Sequence, residues 1–119
     1  MLNLDTHILI DALQGSLSKR EEKLLTADPW SISAVVLWEL SKLVQLGRVE
    51  MDLDSVEFNR ALSRIRIWPI DLPTSIQSTR LDFKSDPADE LIAATSILHR
   101  IPLLTRDKRN LKSKLVPLA

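Results

Sequence analysis

The chain has 119 residues, of which 45% are hydrophobic and 27% charged, and this is the size and composition of one folded domain spanning residues 1–119. It contains no cysteine, which excludes disulfides, thiolate catalysis and cysteine zinc sites and fits the reducing cytoplasm, where we expect the protein to be located. Lysine plus arginine and aspartate plus glutamate both number 16, so the zero net charge does not by itself indicate a nucleic-acid-binding protein.

Targeting and membrane segments are not predicted. The first residues, from Met1 to Asp5, have neither a basic start nor a long apolar run, so they do not have the pattern of a signal peptide. No stretch reaches the roughly 18 to 20 apolar residues of a membrane helix. Only Gly15 and Gly47 are glycines, which excludes a glycine-rich phosphate loop.

The first part of the chain alternates short apolar runs with helical patterns. In chain order, we predict a strand over 2–5, helices over 6–13 and 18–26, a strand over 30–33 and a helix over 34–46. Ser18 followed by Glu21 has the spacing of a capping box. Gly15 and Gly47 each follow a helical pattern, where a glycine commonly ends a helix.

The second part continues the alternation. The predicted elements are a helix over 54–64, a strand over 65–70, a short helix after Pro73, a helix over 87–99, a strand over 102–105, a short helix after Asp107 and an edge strand over 115–118. Asp86 suits the N-cap and Pro87 the first position of the 87–99 helix. Strands that alternate with helices predict an α/β protein with a parallel sheet covered on both faces.

Acidic side chains follow the carboxyl ends of the predicted strands. Asp5 ends the first strand, Asp107 follows the 102–105 strand, and Glu39 lies in the second turn of the helix that leaves the 30–33 strand. Asp86 and Asp89 begin a helix that we place at the same edge. Because an open parallel sheet binds its ligands beyond the carboxyl ends of its strands, we expect these carboxylates to meet at one rim.

Most of these acids also have a purely structural interpretation that the sequence leaves open. Asp5 and Asp86 suit helix N-caps. Asp89 would complement the dipole of its helix, an effect worth about 0.3 to 1 kcal/mol. Asp107 suits a turn between two basic neighbours.

Glu39 is the most informative acid. On a helical wheel it falls inside the apolar arc, with Val35 and Leu43 one turn away on either side. A surface ion pair with Lys42 is the alternative interpretation. A carboxylate that leans into an apolar face costs several kcal/mol unless a cation or a donor meets it, so a metal ion shared with the other acids is the interpretation that we favour.

Such a cluster has a clear chemical use. Mg²⁺ and Mn²⁺ prefer oxygen ligands and commonly bridge carboxylates to substrate phosphates. The bound ion relieves the mutual repulsion of the carboxylates and activates water for attack. The natural reaction is hydrolysis of a phosphodiester bond.

The end of the chain is basic. After position 99 the chain has one acid, Asp107, and six basic residues, namely Arg100, Arg106, Lys108, Arg109, Lys112 and Lys114. This segment is either a solvated surface helix or a patch that holds a nucleic-acid backbone. In the second case the candidates for phosphate contacts are Arg106, Lys108, Arg109 and Lys112.

Four segments resemble the PIN-domain family and stand in the family's order. They are LDTHILID from Leu4, SAVVLWEL from Ser33, DPADELIAATS from Asp86 and LTRD from Leu104. Each motif is weak alone, but together they extend from Asp5 to Asp107, which is nearly the whole chain. The resemblance implies an α/β/α sandwich that cleaves RNA with one or two Mg²⁺ or Mn²⁺ ions.

The resemblance also implies roles for particular residues. By position, the family's metal-holding and catalytic acids correspond to Asp5, Glu39, Asp89 and Asp107. Asp86 would assist from one turn away, and Thr105 would be a polar neighbour rather than a ligand.

The small size most resembles the toxins of bacterial VapBC-type toxin–antitoxin pairs. This implies three partners: an antitoxin protein that blocks the site, a second copy of the chain in a homodimer, and RNA, with tRNA or another structured RNA as substrate.

Two other functions compete with this hypothesis. A phosphatase with Asp5 as nucleophile would want a second acid two residues later, where the chain has His7. A non-catalytic binding module of the same fold would keep the acids without activity.

Three further side chains are ambiguous. Trp38 falls on the polar side of its helix and is either packed on a neighbouring helix or placed at an interface with a partner. His7 and His99 are expected to be structural or exposed, and His7 is close enough to Asp5 in sequence to reach a substrate.

Overall fold

The structure is a computed structural model that describes residues 1–119. Four strands and seven helices alternate along the chain, as the sequence predicts. In chain order they are β1 (Leu2–Leu4), α1 (Thr6–Gln14), α2 (Lys19–Ala27), β2 (Trp30–Ser33), α3 (Ala34–Gln45), α4 (Val56–Leu62), β3 (Arg66–Trp68), α5 (Leu72–Ser78), α6 (Pro87–His99), β4 (Leu103–Leu104) and α7 (Lys108–Lys112).

The strands form one parallel sheet in the order β3-β2-β1-β4. From β1 the chain adds β2 and then β3 on one side of the sheet. It then returns to place β4 on the other side of β1. Right-handed crossovers that run in opposite directions place helices on both faces, so the chain has the predicted three-layer α/β/α arrangement. The carboxyl ends of β1 and β4 flank the point where the direction reverses, which is where such sheets bind ligands.

The predicted helix boundaries follow from the capping residues. Ser18 and Glu21 form the complete capping box at the start of α2, and the Ser33 hydroxyl accepts from the Val35 N–H at the start of α3. Gly15 and Gly47, with φ of 74° and 71°, adopt the left-handed conformation after α1 and α3. These boundaries lie within two residues of the prediction.

Three elements predicted in the second part of the chain are shorter in the structure, those over 54–64, 65–70 and 102–105, the last of which is only β4; a fourth, over 115–118, is absent. The 54–64 helix is only α4, because the Ser55 side chain accepts from the Phe58 N–H and so sets the start after Asp54. The 65–70 strand is only β3, which ends before Pro69, a residue without the N–H that a further strand pair would need. The predicted 115–118 strand is wrong: this segment contributes a single parallel bridge between Leu118 and Leu103.

The core fixes the helix that begins at the carboxyl edge. Six residues of α6 are buried, and Asn3 in β1 donates from Nδ2 to the Ile92 carbonyl at 3.2 Å and to Ser96 Oγ at 2.9 Å. This contact sets the position of α6 against the sheet and so places its first turn beside the end of β1. No helix has the length and apolar character to cross a membrane.

Candidate metal centre

A cavity of about 560 Å³ opens at the carboxyl ends of β1 and β4. All four acids predicted as metal ligands line it, although they come from four different parts of the chain: Asp5, Glu39, Asp89 and Asp107. The other lining side chains are Thr6, His7, Trp38, Lys42, Leu43, Arg106 and Arg109. The predicted meeting of distant carboxylates at one rim is therefore what the structure shows.

Asp5 caps α1, as one of its two interpretations predicts, and it also lines the cavity. As N-cap of α1, its Oδ1 accepts from the Ile8 N–H at 2.9 Å, while its Oδ2 accepts from the Thr105 hydroxyl at the exit of β4. Burial raises the pKa of this carboxyl, although the two hydrogen bonds act in the opposite direction. Asp5 is thus both fixed and costly to keep ionised without a cation.

Glu39 is half-buried and turns toward the cavity, as its position in the apolar arc predicts. Its Oε1 accepts from the Thr6 hydroxyl at 2.5 Å. The surface ion pair with Lys42 does not form, since the Lys42 ammonium donates to Gln45 instead. Burial raises the pKa of Glu39, and the nearby charges of Asp89 and Asp5 raise it further.

Asp89 lies in the first turn of α6, where its Oδ2 accepts from the Ser85 hydroxyl at 3.1 Å. Burial is the largest cause of its raised pKa, and the charges of Asp107, Asp86 and Asp5 raise that pKa further. Asp86 occupies the N-cap position of α6, but its side chain makes no capping hydrogen bond and does not line the cavity. Its influence on the site is electrostatic.

Asp107 follows β4 and is the N-cap of α7. Its Oδ1 accepts from the Arg109 N–H at 3.1 Å and its Oδ2 from Asn110 Nδ2 at 3.2 Å. Its own N–H donates to Thr105 Oγ1 at 3.0 Å. Thr105 therefore connects Asp5 with Asp107, the polar-neighbour role that its position predicts.

The basic side chains differ in their availability. Arg106 lines the cavity, but its guanidinium is engaged by the carboxylates of Glu21 and Asp11. Arg109 also lines the cavity and donates to Ser85 Oγ at 3.0 Å. Lys108 and Lys112 lie on α7 outside the cavity wall.

Hydroxyl and amide partners of the acids were not found from the sequence. Thr6, Ser85 and Asn110 each hold one carboxylate of the cavity. The signal available for Thr6 was its position directly after Asp5, and for Ser85 its spacing one helical turn before Asp89. Asn110 carried no such signal, because a single polar residue in a basic helix has no distinctive pattern.

The aromatic side chains at the cavity are exposed. Trp38 is 59% exposed, so the interpretation that it packs on a neighbouring helix is wrong. His7 is exposed at the cavity wall. His99 does not line the cavity and stacks on Trp68 with ring centroids 4.0 Å apart, which is a structural role.

The donor set fits a hard divalent cation. All four acids offer oxygen ligands, and the charges of neighbouring acids raise the pKa values of Glu39 and Asp89. The Arg106 guanidinium at the cavity is already paired with Asp11 and Glu21. As the side chains stand, no three of the His, Asp and Glu residues form a ready-made ligand group. The acids therefore fit a metal ion in the type of their donor atoms and in their placement around one cavity, but not as a preformed set of ligands.

A doubly wound parallel sheet with a cavity at its switch point is the arrangement of an α/β protein that binds its ligand at the carboxyl edge. The family model of the PIN domain matches residues 3–114. The chain belongs to the PIN-domain family, whose ribonucleases use divalent metal ions.

Individual relatives agree with the family assignment. Ribonuclease VapC22 of Mycobacterium tuberculosis is 29% identical over 87 residues, an alignment that covers 70% of this chain and 66% of that protein, slightly less than two thirds of its length. A toxin–antitoxin complex from Klebsiella pneumoniae contains a chain that is 26% identical with a TM-score of 0.71, covering 94% of this chain and 91% of that one. VapBC2 from Rickettsia felis, bound to a DNA fragment from its promoter, matches in fold with a TM-score of 0.71 at 20% identity, covering 100% of this chain and 98% of that one.

Proposed function

We propose that this chain is a metal-dependent endoribonuclease and the toxin of a type II toxin–antitoxin pair. The observation that carries the proposal is the meeting of Asp5, Glu39, Asp89 and Asp107 around one cavity at the switch point of the sheet. The similarity to ribonuclease VapC22 and to a chain of a toxin–antitoxin complex supports RNA as the substrate and an antitoxin as the partner.

The acids have distinct places in the proposed centre. Asp5, Asp89 and Asp107 would hold Mg²⁺ or Mn²⁺ directly, and Glu39 would hold it directly or through water. When bound, one or two such ions would supply an activated water and positive charge beside the phosphate. We expect products with a 5′-phosphate and a 3′-hydroxyl.

The chain's own residues keep the carboxylates in place. The hydroxyls of Thr105, Thr6 and Ser85 donate to Asp5, Glu39 and Asp89, respectively, so the orientation of each carboxylate is restrained. Partners of this kind commonly change metal affinity or activity by about 10- to 100-fold when removed. Positioning is therefore part of the proposed mechanism.

The substrate would approach a cavity wall of mixed charge. Arg109 at the wall is available to the RNA backbone, whereas Arg106 is engaged by two carboxylates and would contribute to the fold of the loop. Lys108 and Lys112 would act only on more distant phosphates. We further propose that residues 1–119 work as one nuclease domain, that the chain forms a homodimer in the cytoplasm, and that the antitoxin covers this cavity.

The test is cleavage of structured RNA, including tRNA, in Mn²⁺ with and without EDTA. Asp5→Asn keeps an oxygen for the α1 cap and removes the charge. The variant should therefore fold, and its activity should be lower than that of the wild type by a factor of about 100 or more. The matched control is Asp54→Asn, which changes an exposed acid outside the cavity. The proposal fails if cutting persists in EDTA, or if Asp5→Asn is as active as Asp54→Asn.

Mn²⁺ binding by calorimetry separates the remaining possibilities. An enzyme with a working centre should bind Mn²⁺ and lose that binding in Asp5→Asn. A non-catalytic module with decayed acids should bind none, and a phosphatase should instead form a phosphorylated Asp5.

A further inference from the structure

Trp38 is the most unusual side chain at the cavity. It is 59% exposed and lines the same cavity as Glu39, its neighbour in α3. Tryptophan has a large apolar surface, and leaving it in water gives up the stabilisation that burial would bring. No ring of this chain stacks on it; the one stacked aromatic pair is Trp68 with His99.

Lys42 lies one helical turn after Trp38 in α3 and also lines the cavity. Residues four apart occupy the same face of a helix, with their Cβ atoms roughly 6 Å apart. The ammonium forms no salt bridge, and its one hydrogen bond is to Gln45 Oε1 at 3.3 Å. It therefore differs from Arg106, which two carboxylates engage.

An indole and an ammonium without a salt bridge on one helix face could bind the base and the phosphate of one nucleotide. A base can stack on the flat indole, and the ammonium can contact the adjoining phosphate. A base is available for stacking only where it is not paired in a duplex. Because Trp38, Lys42 and Glu39 all line one cavity, this pair of side chains stands beside the acids.

We propose that Trp38 stacks on an unpaired base beside the phosphate that is cut, and that Lys42 contacts the phosphate of the same nucleotide. This inference rests on the proposed ribonuclease function and specifies how its substrate is selected.

Kinetics test the stacking contact. With an RNA hairpin cut in its loop in Mn²⁺, Trp38→Ala should lower kcat/KM about 5- to 100-fold, mainly through KM, as loss of one stacked base predicts. Trp38→Phe should recover most of the loss because a phenyl ring still stacks. Leu46→Ala, which removes an exposed side chain at the end of the same helix and outside the cavity, should match the wild type.

Substrates with one abasic nucleotide locate the contact. Moving the abasic position along the loop should reveal one site where the wild type loses the same 5- to 100-fold, and there Trp38→Ala should add little further loss. If the loss from Trp38→Ala multiplies with the loss from the abasic nucleotide at every position of the loop, the two changes act independently and the proposal is wrong. Lys42→Ala should weaken binding at all loop sequences and reduce its salt dependence.

Binding keeps this test separate from the test of ribonuclease activity. A single-stranded RNA with 2-aminopurine at the identified position, or at each position in turn, is titrated with Asp5→Asn protein and with Asp5→Asn/Trp38→Ala. Quenching that needs Trp38 and disappears in the matched duplex supports the proposal even if no cleavage is found. If the wild type cuts RNA and Trp38→Ala cuts and binds it equally well, the stacking proposal is wrong while the nuclease stands, and Trp38 is left to a protein partner.

Discussion

Arg106 binds Glu21 through two parallel hydrogen bonds, from Nε to Oε2 at 2.8 Å and from Nη2 to Oε1 at 2.7 Å. The same guanidinium also contacts Asp11 in α1. This network connects α1 and α2 to the segment after β4, in which Thr105 and Asp107 flank Arg106. The shape of the acidic rim therefore depends on a charge pair that lies beside it.

Loss of this pair should weaken the fold. In Glu21→Gln the amide keeps the size of the side chain but loses its charge and one acceptor, while Arg106 remains. We expect the free energy of unfolding to fall by about 1 to 2 kcal/mol, a modest figure because the Arg106 side chain is 46% exposed and partly screened by solvent. Urea titration measures the change, and Glu22→Gln, an exposed neighbour, should be neutral.

The same pair predicts how stability depends on pH. The Arg106 guanidinium lowers the pKa of Glu21 from its ordinary 4.5 to about 2. A carboxyl with a lowered pKa in the folded state stabilises the protein above the unfolded pKa and loses that stabilisation as the pH falls through the folded value. The stability difference between wild type and Glu21→Gln should thus be full above about pH 5 and shrink steadily toward pH 2. A difference that stays constant over this range would contradict the assignment.

Thr105 should matter through its hydroxyl. Thr105→Val keeps the shape of this buried side chain but removes both the donor to Asp5 and the acceptor for the Asp107 N–H. We expect activity or Mn²⁺ affinity to fall about 10- to 100-fold. Thr105→Ser keeps the hydroxyl and should retain most of the activity, so equal losses in the two variants would show that packing, not the hydrogen bonds, is responsible.

Asp89 should destabilise the protein in the absence of metal. Its charge is partly buried near Asp5, Asp86 and Asp107. Asp89→Asn removes that repulsion and should raise the free energy of unfolding in EDTA by up to about 1 kcal/mol, while cleavage is lost. Adding Mn²⁺ should stabilise the wild type more than the variant. Thermal unfolding with and without Mn²⁺ measures both effects, and a variant less stable than wild type in EDTA would contradict the prediction.

The local sequence determined the elements and the edge at which the acids lie. Ser18 and the two glycines predicted helix ends that the structure confirms, because caps depend on hydrogen bonds within a few residues of the chain. The apolar arc around Glu39 correctly predicted the direction of its side chain. The alternation of strands and helices then predicted the parallel sheet and the rim.

Only the tertiary structure decided what each side chain meets across the fold. Arg106 looked like a phosphate contact in a basic segment, but Glu21, 85 positions earlier in the sequence, engages its guanidinium. The sequence leaves Trp38 between packing on a neighbouring helix and an interface with a partner, because helical periodicity shows which way a residue points and not what covers it. Local hydrogen bonds and apolar periodicity are properties of short segments, whereas partners brought together by chain crossovers depend on how the whole sheet and its helices pack.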